Sequence, residues 1–184
     1  MKKLITFLIV ATFYSCNIPI YSFKSTYDKF DNVKKFQIQA NCLGQRNTGF
    51  IGSHDTELNA ICIAKDSTVI YFLEVNYNSG SWLFIDEGES LVMLIDGKRL
   101  GFSGKGSIGH RNIYNESIQE FAYYEITKPQ FEQIIAGNKI ELKLTGQKGY
   151  EEFFFTNGNK AAFKKFYDNY VNKTTKEIIS LPVK

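Results

Sequence analysis

From residue 33 onward, apolar and polar residues alternate with a period of two. That spacing sends successive side chains to opposite faces of a strand. Phe36, Ile38 and Ala40 fall on one side and Lys35, Gln37 and Gln39 on the other. The clearest alternation is at 69–77, where Val69, Tyr71, Leu73, Val75 and Tyr77 share a face. Further strands are predicted at 57–64, 118–126, 139–144 and 150–155. The stretch 82–102 reads as three short strands joined by two turns. Its Asp96-Gly97 pair predicts a tight hairpin, because a type I′ turn needs positive φ at both central residues.

The period changes twice. Thr127-Lys128-Pro129-Gln130 starts a helix, with Thr as N-cap and Gln placed to close a capping box. Phe131, Ile134 and Ile135 form its stripe, and Gly137 is the expected left-handed cap. Phe163, Phe166, Tyr167 and Tyr170 then recur at i, i+3, i+4 and i+7 in a second, amphipathic helix. Asn157 or Asn159 is expected to cap it. Residues 177–181 read as a short edge strand or a frayed end.

Short connections favour antiparallel pairing over parallel crossovers. The expectation is an α+β domain, a mostly antiparallel β sandwich or partly closed barrel with a short helix and a C-terminal amphipathic helix packed on it. This arrangement resembles pleckstrin-homology-like barrels in architecture alone and implies no function. The expected organisation is a signal peptide at 1–15, a tether at 16–32, one β-rich domain at 33–172 and a tail at 173–184.

The N-terminus carries the clearest address. Lys2 and Lys3 precede an uncharged, mostly apolar run at 4–14, too short for the about 20 residues that span a bilayer. The run ends in Phe13-Tyr14-Ser15-Cys16. A small residue directly before Cys resembles the lipobox of bacterial lipoproteins, although Phe13 stands where that family usually has Leu. The resemblance implies cleavage before Cys16, lipidation of Cys16 and a membrane-anchored place in the cell envelope; a plain secretory signal is the alternative. Loss of residues 1–15 leaves a side-chain charge of about +1. Such a balance argues against a nucleic-acid partner, which requires a concentrated basic footprint.

Cys42 and Cys62 then remain as an even pair in an oxidising compartment, each on the apolar face of its strand. They are a candidate disulfide or two buried thiols. Residues 96–116 hold no acid between Asp96 and Glu116, but do contain Arg99, Lys105, His110 and Arg111 among several glycines. Residues 103–117 read as a loop, and these four residues as a candidate anion site or an ordinary solvated basic loop. Gly104-Lys105-Gly106-Ser107-Ile108-Gly109 matches a dinucleotide fingerprint by spelling, but no helix pattern follows it, so no cofactor is assigned. His54 and His110 are far apart and give no metal pattern. No G-x-S-x-G occurs and no catalytic residue is assigned. Trp82 is either the anchor of its strand or an exposed ring able to stack a sugar.

The segment W-x-x-I-x-x-G-E-S-x-x-x-x-I-D-G at 82–97, with Phe121-Ala122-Tyr123-Tyr124 ahead of the Pro-started helix, loosely resembles small exported lipoproteins of unassigned function. The functional expectation is a lipid-anchored, non-catalytic binding or interaction module with an envelope protein or glycan as partner. An envelope enzyme acting on glycan or peptide is the alternative.

Overall fold

The computed structural model describes residues 21–45, 56–111 and 117–183. Cys16 and His54 lie outside the described residues. The strands are β1 (Ser22–Asp28), β2 (Val33–Gln39), β3 (Gly44–Gln45), β4 (Glu57–Lys65), β5 (Thr68–Ser79), β6 (Glu87–Ile95), β7 (Lys98–Arg111), β8 (Ile118–Glu125), β9 (Ile140–Gly146) and β10 (Gly149–Phe154). All pair antiparallel in one sheet of order β1-β2-β4-β5-β8-β7-β6-β9-β10-β3. The terminal strand β3 continues the chain from β2. Between them Cys42 bridges Glu57, and the Leu43 N–H donates to Thr56 O. Residues 33–45 therefore pair with β4 and then, through β3, with β10. One chain segment thus links the two flanks of the sheet, as suits the expected antiparallel architecture.

The inward positions form one core. Phe36, Leu58, Cys62, Leu73, Met93, Tyr124, Leu142 and Leu144 are all buried within it. Three helices cover it: α1 (Lys128–Ala136), α2 (Asn157–Phe166), which runs on into a π-helical turn (Tyr167–Val171), and α3 (Thr175–Ser180). Phe131 of α1 packs on Phe163 and Phe166 of α2, with ring centroids 5.5 and 5.8 Å apart.

Several local expectations are corrected. Residues 22–28 of the supposed tether are an edge strand. The chain at 82–86 is not a strand, and β6 begins at Glu87. Gly137 does not adopt a left-handed cap; its φ is −68°. A side chain there would strike Ile95, since a Cβ would lie 2.5 Å from Ile95 Cγ2. Thr156, not an Asn, caps α2, and Asn159 closes its capping box from inside. The tail neither frays nor adds a strand. It forms α3, whose last carbonyls, Ile179 O and Leu181 O, accept from Lys34 Nζ of β2 at 2.5 and 2.8 Å. At the Asp96-Gly97 turn both residues do have positive φ, 48° and 82°.

Cys42 and Cys62 are not joined. Cys42 lies opposite Glu57 of β4 and Cys62 is farther along the same strand. That offset is roughly 17 Å, against an upper limit of about 7 Å between bridged Cα atoms.

Burial pushes the Cys62 thiol from the ordinary 9.0 up to about 12, and the Tyr124 phenol from 10.0 up to about 12, the latter partly offset by its hydrogen bond with Ser90. Both groups are neutral in the folded state, and both ionise more readily once unfolded. Their contribution is present below the unfolded values and is lost as pH rises toward the folded ones. Stability should thus decline between about pH 9 and 12. Urea midpoints at pH 8 and pH 11 check this, and an unchanged midpoint refutes it.

Candidate functional site

The chain between β5 and β6 crosses one end of the core, held from both sides. Glu120 of β8 is fully buried. Its carboxylate accepts from the backbone N–H groups of Leu83 (2.6 Å), Phe84 (3.1 Å) and Ile85 (3.1 Å), and from the Ser107 hydroxyl (2.6 Å). A buried carboxylate is tolerable only when its lone pairs are met in this way. The carbonyls of the same segment are taken by the β9–β10 turn and by β7. Lys148 N–H donates to Leu83 O, Gln147 N–H to Phe84 O, and Ser107 N–H to Ile85 O, at 3.0 to 3.2 Å. Gly146 permits that approach, because a Cβ there would lie 2.4 Å from Leu83 O.

Leu83 and Ile85 point into the core while Phe84 between them is 39% exposed. Phe84 also has φ +53°. A bulky residue in the left-handed region costs of order 1–3 kcal/mol and persists only where its surroundings over-determine it. Here the Glu120 bonds and the β9–β10 turn do so. Trp82, half-buried, stacks on Phe84 with centroids 5.3 Å apart and planes 12° off parallel.

The rings border a cleft of about 460 Å³, lined also by Gly80, Ser81, Arg111, Ile118 and Lys148. It is a shallow depression, more open to solvent than an enclosed cavity. Gly109 makes room for the indole, since a Cβ at this position would lie 2.4 Å from Trp82 Cζ3. Gly109→Ala should therefore displace Trp82 and cost about 1–3 kcal/mol. The chain's single Trp makes its emission maximum the direct measurement; an unmoved maximum refutes the steric account.

The acid-free glycine-rich segment is not a loop over its described part. It is the outer length of β7, paired with β8 to Arg111. Its glycines serve close approach: Gly104 faces the Tyr124 ring, Gly109 faces Trp82, and Gly106 takes φ +77° at the irregularity in pairing. No helix opens inside the dinucleotide-like spelling.

The four candidate anion-site residues are not brought together. Arg99 stands at the other end of β7 from Arg111, on the order of 35–40 Å along the strand, and it pairs with Glu89. That pairing holds the Glu89 carboxyl below its ordinary value. Lys105 lies opposite Glu87. His110 stacks on Phe121 with centroids 6.3 Å apart. Of the four, only Arg111 lines the aromatic cleft, as does Lys148. Among the described residues, no three His, Cys, Asp or Glu are grouped to hold a metal.

Sequence reasoning missed Glu120 and Lys148. Glu120 did leave a signal: it sits in step with Ala122, Tyr124 and Ile126, so a carboxylate occupies an inward position of an apolar face. Lys148 left none, since only the folded β9–β10 turn brings it to the cleft.

Fold and site together define an antiparallel β domain closed by C-terminal helices, with an aromatic and basic cleft at one end of its core. No protein-family model and no curated protein matches this chain.

Proposed function

We propose that this chain is an exported protein, lipidated at Cys16 and held in the cell envelope, that acts as a non-catalytic binding module through the Trp82–Phe84 cleft. The observation that carries the binding role is Phe84. An aromatic residue held at positive φ, over a fully buried carboxylate, keeps its ring at the surface. Packing alone gives no reason for this, because Leu83 and Ile85 already fill the core on either side. Strain held at an exposed ring is characteristic of sites shaped for a ligand. The cleft's described lining offers stacking surface and positive charge, which suit recognition more than bond cleavage.

Address and role are tested separately. Cys16→Ala should move the protein from the membrane fraction to the soluble one; retention in the membrane fraction rules out the lipid anchor. For the role, soluble glycan and peptide fragments are screened by the single Trp indole signal. Hits that shift this signal and remain chemically intact support a binding module. Hits that are consumed favour the envelope enzyme instead, and hits that never affect Trp82 remove the cleft as the binding face.

A further inference from the structure

We propose that β1 is a self-pairing edge, along which two copies of this chain join their sheets into one. β1 stands at the end of the strand order and pairs with β2. Among the described residues no strand pairs with its other side. An edge strand turns a row of backbone N–H and C=O groups outward, and proteins ordinarily blunt such a row with Pro, a bulge, a charge or a very short strand. β1 runs seven residues, Ser22-Phe23-Lys24-Ser25-Thr26-Tyr27-Asp28, with no Pro and in unbroken register with β2. The opposite edge, β3, has only two residues. Lys24 deters an arbitrary partner, but a second β1 answers its charge.

The occupant follows from the strand's own sequence. Antiparallel pairing about a two-fold axis, with both cores on the same side, sets each residue opposite one of like parity. A centre at Lys24 puts two ammonium groups face to face. A centre at Thr26 shortens the pairing to residues 24–28. A centre at Ser25 uses the whole strand. It sets Phe23 opposite Tyr27 of the second copy and Ser22 opposite Asp28, and it brings Lys24 diagonal to Asp28 on the same face. Each of these contacts occurs twice. Tyr27 is 49% exposed and Phe23 is half-buried beside Tyr21, so the pairing covers aromatic surface. Aromatic and opposite-charge pairs across strands both stabilise a sheet. Ser25, at the axis, has an interaction of its own, and the pairing asks nothing of its side chain. A strand of unrelated sequence could use the same backbone row, but it would not answer Phe23, Lys24 and Asp28 together.

A contact between two such strands is small, so the association is weak, with a dissociation constant of order 10–100 μM. The test is sedimentation velocity of the full-length protein from about 1 μM to about 1 mM. Wild type should shift reversibly from monomer to dimer. Ser22→Lys puts a cation directly opposite Asp28 of the second copy, twice per dimer, and should tighten the dimer about fivefold. Ser22→Asp should weaken it about fivefold. Ser22 is exposed and lies opposite neutral Gln39 on β2. Urea midpoints of both variants should therefore match wild type, which separates lost pairing from lost folding.

Sedimentation as a monomer throughout, for wild type and Ser22→Lys alike, overturns the proposal. A dimer that neither substitution shifts overturns it too. So does one that both shift in the same direction, since charge at position 22 then has no Asp28 to meet.

Discussion

Glu120→Ala should destabilise the protein by roughly 3–5 kcal/mol and dismantle the cleft, because it leaves three backbone N–H groups and a hydroxyl without their acceptor. Each orphaned donor near the core costs about 1–3 kcal/mol, partly relieved where water can enter from the cleft side. The strained Phe84 also loses the bond that holds it at positive φ, so the 82–86 segment should relax outward. Urea unfolding gives the first effect, and the Trp82 emission maximum gives the second. Ser107→Ala removes one donor and leaves the three backbone bonds in place, so it should cost only about 1 kcal/mol. If Glu120→Ala costs no more than Ser107→Ala, and Trp82 emission is unmoved, the carboxylate does not organise the segment.

Phe163→Ala should have a comparable effect on stability through a different mechanism. Phe163 is fully buried on α2 and contacts Phe131 of α1 and, at 5.1 Å between centroids, Phe155 just after β10. Truncation opens a cavity where the helices meet the sheet, a change that typically costs 3–5 kcal/mol. Collapse is restricted, because the two facing rings come from separate parts of the chain, Phe131 on α1 and Phe155 after β10. The cleft lies elsewhere, so Trp82 emission in the folded variant should match wild type even as the urea midpoint falls. A cost below about 1 kcal/mol would mean that the helices are not integral to the core.

The two variants separate a core that was legible in the sequence from a site that was not. Strand periodicity, the Asp96-Gly97 turn and the Thr127–Gln130 capping box each arise within a few residues. Local sterics and hydrogen bonding decide them, and they appear as read. The aromatic stripe of α2 was likewise visible, because one face of a helix repeats in sequence. The failures were also local. Residues 22–28 have their exposed face toward solvent and little apolar alternation, so an edge strand resembled a linker. Gly104, Gly106 and Gly109 suggested a loop because glycine usually marks freedom. In the sheet they mark places where Tyr124 and Trp82 press against the backbone.

What the chain's own order settled was the set of elements and which faces of them are apolar. Short-range forces act within one strand, turn or helix and leave a periodic trace. The tertiary structure decided everything that depends on distant segments meeting. It separated Cys42 from Cys62, distributed the basic residues of β7 so that only Arg111 reaches the cleft, and brought Lys148 there from another turn. It also put Glu120 beneath a segment 35 to 37 residues earlier in the chain. Buried polar groups must find partners wherever the fold offers them, and no local pattern records which partner that is. The stretch 82–102 accordingly changes character along its length. The hairpin from Glu87 onward is scaffold, as its own residues indicate, whereas Trp82 and Phe84 become a candidate site only when Glu120, Gly109 and Gly146 meet them.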